Sequence, residues 1–453
     1  MLLVVAMDVD VLKRVIESQR EELDEKFSKE LIVERNGLSL AKSYLSFPNI
    51  LVILGIRRCG KSIFSILLTR ALKQKAAYIN FVDERLIHLK TSDLDNVLQA
   101  FYELYGDLEF VVLDEIQQVH GWELFANRLR RTKKVIITGS DSKLLSGELS
   151  THLTGRHIDF VLYPFSFRES TPLKKPVFST KEIAAARMEL KKYVDGSGFP
   201  EFERFGRQIV REIYDDIVTK DCIQRHRIRE EKSFRELASY LVSNFSGEFT
   251  YSKLAKIVGL KDNNTAKNYV QYLKESYLIT VIERFSPKLK QQILAPKKVY
   301  CIDQGFCNFV SFNLSKNLGR LYENIVCVEL LRKKSENSRI ELYYWKDHQQ
   351  NEVDFVVKNG PKVIQLIQVC YDPTDETTKE RETKQLIKAA IELKCKNLLI
   401  ITSNYEATET IQKQAIAYTP LWKWLLQEKQ PMTSTNKNNR APTDGMPDMG
   451  GME

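Results

Sequence analysis

Residues 55–62 read Gly-Ile-Arg-Arg-Cys-Gly-Lys-Ser, the spacing G-x-x-x-x-G-K-[ST]. Glycines in such a loop let backbone N–H groups close around phosphate oxygens, and a helix beginning at Lys61 adds its positive end. Lys61 is the residue type that reaches β- and γ-phosphates, and the Ser62 hydroxyl is a Mg2+ ligand. The set expected to hold a nucleotide is Gly55, Arg57, Arg58, Cys59, Gly60, Lys61, Ser62 and Ile63. A second run, Phe-Val-Val-Leu-Asp-Glu at 110–115, is apolar and ends in two acids. Asp114 is expected to complete the Mg2+ site and Glu115 to orient an attacking water. A third run, 134–140, ends in Ser140, a polar group suited to sensing a γ-phosphate. No Asn-Lys-x-Asp guanine-reading motif stands in a strand context, so ATP is favoured over GTP. An arginine at the γ-phosphate raises hydrolysis by orders of magnitude. Arg156 is taken for that role, with Arg57, Arg58 and Arg168 as competitors and a surface ion pair to Asp159 or Glu169 as its alternative.

These residues need elements to position them. Ile-Leu-Val-Ile-Leu (50–54) runs into the glycine loop and an apolar helical stretch follows it. β-rich runs at 50–54, 76–81, 110–114, 134–140 and 158–164 alternate with helical stretches, a pattern that predicts a mostly parallel sheet covered by helices. Residues 8–47 read as polar helices with Val11, Val15 and Leu23 among charges, and 180–230 as helices broken by Asp-Gly-Ser-Gly-Phe-Pro-Glu at 195–201. Residues 249–292 predict helix, Gly259 turn, helix and hairpin. In the second of these helices Ala266, Tyr269, Val270 and Leu273 form a buried stripe at helical spacing. Its other face carries Asn264, Lys267, Asn268, Gln271 and Lys274, residue types that reach base edges and phosphates. Residues 250–300 hold ten Lys+Arg against three Asp+Glu, and Lys288 and Lys290 in the hairpin add to the basic face. A spacer or protein-binding arm with a solvated basic face is the competing reading. Residues 301–427 return to mixed α and β, and the Pro-, Gly- and Asn-rich 429–453 is predicted to be disordered.

At 453 residues the chain is expected to hold several domains. Its 68 Lys+Arg exceed 59 Asp+Glu, leaving +9, which permits polyanion binding without requiring it. Seven scattered cysteines with no Cys-x-x-Cys pair exclude a zinc motif or disulfide framework and fit a reduced, cytoplasmic setting. No segment reaches 18 uninterrupted apolar residues, so a soluble protein with no membrane span is expected.

The order of GIRRCGKS, LDEIQQVHGWE, VIITGSDSKLLS, LTGR and YPFSFRE resembles the ATPase domain of a widespread archaeal and bacterial P-loop family of the AAA type. The resemblance covers about residues 35–425. It implies an α/β P-loop NTPase domain with a helical lid, a winged helix-turn-helix, and a C-terminal α/β domain of restriction-endonuclease-like fold, with ATP and Mg2+ as ligands and slow hydrolysis. The divisions expected are 1–47 (N-terminal helices), 48–172 (ATPase core), 173–231 (lid), 232–300 (winged helix), 301–428 (nuclease-like and degenerate) and 429–453 (tail).

A nuclease of the implied C-terminal fold takes one acid from a helix, a second from a β-hairpin, and an acid-x-Lys from the next strand. Here Glu323 and Asp354 stand at the first two places, and Gln368 and Cys370 at the last pair. Glu323, Asp354 and the neutral carbonyl of Gln368 are a candidate second Mg2+ site. Cys370 supplies no positive charge for a developing phosphorane. Glu382, Lys384 or Lys379 are candidates to lean back into the site, and Glu352 is read as a solvated hairpin charge. The leading expectation is an ATPase whose nucleotide state moves the winged helix and nuclease-like domain on DNA. A Mg2+-dependent nuclease and a nucleotide-gated scaffold are the alternatives, with a homo-oligomer or protein partner left open.

Overall fold

The computed structural model describes residues 7–139, 153–173, 179–312 and 317–427. The N-terminal half is built on a five-stranded, wholly parallel sheet in the order β2-β3-β4-β1-β5. Its strands are β1 (Ile50–Leu54), β2 (Ala76–Asn80), β3 (Phe110–Asp114), β4 (Lys134–Gly139) and β5 (His157–Val161). Every residue of β1 and β3 is buried, as a parallel strand covered on both faces requires. One face packs against the helix Val9–Lys29 through Leu12, Val15, Ile16 and Gln19. The buried stripe of that helix therefore passes through Leu12 and Ile16 rather than Val11 and Leu23.

A helical stretch follows, comprising Thr180–Asp195, Phe202–Phe205, Arg207–Asp216 and a wider π-type turn at Ile217–Gln224. Beyond it lies a nine-stranded mixed sheet in the order β13-β14-β12-β11-β10-β9-β7-β8-β6. The strands are β6 (Gly247–Phe249), β7 (Ile279–Arg284), β8 (Lys297–Cys301), β9 (Ile340–Lys346), β10 (Glu352–Asn359), β11 (Lys362–Val369), β12 (Leu398–Thr402), β13 (Ala407–Ile411) and β14 (Gln414–Pro420). The expected division at 300/301 falls inside β8, and β7 pairs in parallel with β9. Residues 232–300 and 301–428 are thus joined edge to edge, and the boundary expected between them is corrected. Backbone hydrogen bonding between β7 and β9 leaves no free edge at which a separate domain would end.

The turn at 196–200 ties the two halves together. Ser197 Oγ and the Gly198 amide donate to the two oxygens of Asp303 (2.6 and 2.8 Å), while the Phe165 amide donates to the Gly198 carbonyl (2.6 Å). A Cβ at Gly198 would lie 2.5 Å from the Phe165 carbonyl oxygen and 3.0 Å from Asp303 Oδ2. Backbone cannot yield as a side chain does, so Gly198→Ala is expected to lower stability by about 2–3 kcal/mol. A chemical denaturation series measures this, and an unchanged midpoint would show that the turn does not carry the junction.

Candidate functional site

The glycine loop leaves the carboxyl end of β1 and enters the helix Lys61–Leu72. Gly55 has φ +146°, and a side chain there would collide with the Leu162 carbonyl beyond β5; Gly60 has φ +95°. Both positions therefore require glycine, for conformation and, at Gly55, for space. Lys61 is buried and its Nζ donates to the carbonyls of Gly55 and Ile56 (both 3.1 Å), so the ammonium rests inside the loop it would serve. Cys59 is buried with its Sγ on the Leu162 carbonyl (3.3 Å), and burial pushes the thiol above its ordinary range. Ser62 and Ile63 are half-buried on the first helical turn. The loop arginines turn toward the helical stretch. Arg57 forms a two-point pair with Asp221, and Arg58 pairs with Glu201 (2.9 Å) on the surface.

Asp114 ends β3 fully buried, accepting from Tyr78 Oη (2.6 Å) and Thr138 Oγ1. Thr138 also accepts from the Glu115 amide (3.2 Å), which fixes the residue after the strand in a left-handed conformation with φ +54°. Gln117 holds the Glu115 carboxylate, and burial raises its pKa despite the opposing field of Lys61. Ser62 and Asp114 form a hard oxygen pair of the kind Mg2+ takes. Ser140 lies outside the described residues. Arg156 is exposed and immediately precedes β5, its carbonyl accepting from the Ile50 amide (2.9 Å). That places it at the amino end of the parallel strands, whereas the glycine loop lies at their carboxyl end. The expectation that Arg156 serves the γ-phosphate of its own chain is corrected, because a strand's length separates them.

The second acidic cluster differs most from expectation. Lys298, on β8, is 3% exposed, and its Nζ lies 2.8 Å from Glu323, 2.5 Å from Glu352 and 3.1 Å from Asp354. Burial alone would depress the ammonium, but Glu323, Asp354 and Glu352 together hold it well above the ordinary lysine range. Burial, and then the neighbouring Glu323, pushes Asp354 well above the carboxylate range. Glu352 also pairs with Lys346 (3.3 Å), so it is a member of the cluster and not a solvated charge. The Gln368 carbonyl accepts from the Asp354 amide (3.1 Å), and its amide nitrogen donates to Glu382 (2.6 Å). Glu382 therefore does lean in. Lys384 is exposed and Lys379 pairs with Glu409 (2.5 Å), so neither does. Among the described residues no group of three or more His, Cys, Asp or Glu side chains is placed to hold a metal. The second Mg2+ site expected at Glu323, Asp354 and Gln368 is corrected: a lysine ammonium stands among the carboxylates.

A family model described as an AAA domain matches residues 48–171, and two described as domains of unknown function match 190–317 and 318–424. An uncharacterised protein of Methanocaldococcus jannaschii, MJ1544, is 37% identical over 406 residues, covering 84% of this chain and 89% of that protein. The chain belongs to that protein's family. An uncharacterised Haemophilus influenzae protein is 27% identical over 417 residues, spanning 88% of this chain and 100% of the other. Among solved structures, a Walker-type ATPase of Pyrococcus abyssi is similar at 17% identity and TM-score 0.40, over 62% of this chain and 96% of that one. AMPPCP-bound DnaA from Aquifex aeolicus follows at 15% identity and TM-score 0.24, over 54% and 90%. With the AAA match laid over the loop and the parallel sheet, residues 48–171 are an AAA-type domain with a P-loop.

In the helix–turn–helix (Tyr251–Ile257, then Asn263–Glu275), Ala266, Tyr269, Val270 and Leu273 are buried. Asn264, Lys267, Asn268, Gln271 and Lys274 are all exposed on the opposite side. The residues that sequence reasoning missed are Thr138, Asp221 and Lys298, each a long-range partner. The only signal for Lys298 was a lysine entering an apolar strand, Lys-Val-Tyr-Cys.

Lys298→Met leaves buried Glu323 and Asp354 without their counter-ion, while Glu352 keeps Lys346. The expected loss is about 3–5 kcal/mol at neutral pH. Without the ammonium the folded-state pKa of Asp354, already raised by burial and Glu323, rises further, so the folded state binds extra protons and the deficit narrows as pH falls. Urea denaturation of wild type and variant at several pH values measures it.

Proposed function

We propose that the chain is an ATP hydrolase whose nucleotide state acts on a DNA-facing helix–turn–helix through the helical stretch. The observation that carries this reading is the loop at 55–62 set beside Asp114 and Glu115 in an AAA-type domain. Backbone N–H groups from Gly55 to Ile63 cradle the phosphates, and Lys61 leaves the Gly55 and Ile56 carbonyls for the β- and γ-oxygens. Ser62 and Asp114 would hold Mg2+, which would supply charge neutralisation at the phosphates. Glu115 orients a water whose oxygen bonds to the γ-phosphorus as the bond to the β–γ bridging oxygen breaks. The water's proton passes to Glu115, and ADP leaves carrying the charge of the broken bond.

The helix–turn–helix with the strands β6 to β8 is read as a winged helix, in which Asn264, Lys267, Asn268, Gln271 and Lys274, with Lys288 and Lys290, face the nucleic acid. The helix Leu318–Glu336 with the strands β9 to β14 is read as a nuclease-like fold retained for its scaffold. Lys298 among Glu323, Glu352 and Asp354 supports that over a cutting enzyme, because the cation position is already filled by the chain. Incubation of plasmid DNA with Mg2+ is accordingly expected to give no nicking, and cutting abolished by Asp354→Ala would reverse this assignment.

Lys61→Ala is expected to abolish binding of a fluorescent ATP analogue, and Glu115→Gln to keep binding while turnover falls about 100-fold or more. Because burial lifts Glu115, the acid limb of kcat/KM is expected above the ordinary glutamate value of 4.5, activity falling as the base is protonated. An acid limb unmoved in Glu115→Gln would remove Glu115 from the role. Replacing Lys267 and Lys274 by Ala is expected to weaken DNA binding and to shrink the slope of log K on log salt by about 2. Titration of labelled duplex across a salt series measures it.

A further inference from the structure

Arg156 is excluded from the reaction end of the sheet, which leaves open which positive charge meets the γ-phosphate. Arg35 is buried and committed to Glu169 and to the carbonyls of Cys59 and Tyr163. Arg58 pairs with Glu201 where both side chains are about two-fifths exposed, a pairing that fixes little. Arg57 differs from both. It stands third in the glycine loop, and its guanidinium is gripped edge-on by Asp221, Nε donating to Oδ2 (3.0 Å) and Nη2 to Oδ1 (2.7 Å). Asp221 is 3% exposed in its side chain, whereas Arg57 keeps 31% of its own open. The two nitrogens used leave Nη1 as the donor of the fork outside the pair. Such two-point pairing sets the plane of the guanidinium as well as its position.

The electrostatic neighbours of Arg57 locate its head. Asp221 chiefly, then Asp216 and Glu115, favour its charged form, and Glu115 in turn feels both Lys61 and Arg57. Arg57 and Glu115 thus lie within each other's field. Asp221 comes from the π-type turn at Ile217–Gln224, a widened geometry found mostly where a helix serves a site. The turn sits 164 residues along the chain from the arginine it holds.

We infer that Arg57 is the intramolecular cation of the γ-phosphate, and that Asp221 is its positioning residue. This rests on the ATP hydrolase reading of the loop. On nucleotide binding, Nη1 donates to a γ-phosphate oxygen while Nε and Nη2 stay on Asp221, so charge building on the transferred group is met by an already oriented donor. The same pair makes the helical stretch a reader of the γ-phosphate: ATP extends the Asp221–Arg57 contact to the nucleotide, and ADP does not. No second copy of the chain is needed to complete the site.

The test uses the full chain and four proteins: wild type, Arg57→Ala, Asp221→Asn and the double variant. Arg57→Ala is expected to cut kcat about 100-fold or more and to erase the preference for ATP over ADP, read by competition with a fluorescent nucleotide. Asp221→Asn is expected to cut kcat about tenfold while KM for ATP stays within about threefold, since it disturbs orientation rather than charge. The double variant is expected to be no slower than Arg57→Ala, because Asp221 acts only through the arginine. It also removes the buried unpaired carboxylate that Arg57→Ala leaves, so a folding defect confined to the single variant is recognised by melting. Arg57→Lys, which keeps the charge and loses the fork, is expected between wild type and Ala. A kcat within threefold of wild type in Arg57→Ala, or losses that multiply in the double variant, would overturn the inference while leaving the hydrolase reading intact. Wild type that binds no ATP, indistinguishable from Lys61→Ala, would overturn both.

Discussion

The geometry of the phosphate loop depends on one buried charge. The guanidinium of Arg35 bonds Glu169 (2.9 Å), the Cys59 carbonyl inside the loop (3.1 Å) and the Tyr163 carbonyl beyond β5 (2.6 Å). Glu169 closes a capping box with Ser166 at the start of the short helix Phe167–Ser170. Burial works against its ionisation, but Arg35 and then Arg332 hold it at about 2. Arg332, on the helix Leu318–Glu336, donates to the Pro164 carbonyl (2.8 Å) and lies over the Tyr163 ring. Breaking one partner of such a pair strands the other charge in a low-dielectric interior. The N-terminal segment, the loop, the exit of β5 and a helix of the second sheet are therefore fixed together or not at all.

This restricts how a nucleotide signal travels. The helix–turn–helix is not an arm on a flexible tether, since β7 and β8 beside it belong to the nine-stranded sheet. Motion of that element carries the sheet with it. The parallel sheet meets the rest through a shared apolar core, with Leu51, Ile53 and Phe160 in one buried cluster with Tyr193, Leu321 and Ile325, and through polar contacts: Arg57 with Asp221, Arg58 with Glu201, and the 196–200 turn on Asp303. Asp221 and Asp303 are buried, so of these contacts only the exposed Arg58–Glu201 pair is cheap to break.

The acidic cluster on the second sheet follows the same rule of paired burial. Its carboxylates come from the helix Leu318–Glu336 and from β10, beside a register shift in its pairing with β9. The charge among them is an ammonium from β8. The cluster is thereby a junction between the strands near the helix–turn–helix and the rest of the sheet.

The glycine loop, the parallel strands around it, the acidic end of β3 and the buried stripe at Ala266, Tyr269, Val270 and Leu273 were all legible in the sequence. Each is written in a local period or spacing that no distant residue alters. The division at 300 was misread because an edge strand looks the same from its own residues whether or not another strand pairs with it. Glu352 was read as solvated and Lys298 passed over for a related reason. A charge in a strand is compatible with solvent or with a buried partner, and its neighbours in sequence do not say which. Arg57 was recognised as a loop arginine, but its partner Asp221 lies 164 positions away. Sequence alone thus determined which elements form and which phosphate chemistry the loop supports. Tertiary structure decided which charges meet, because burial penalises an unpaired charge only where distant segments converge to exclude water.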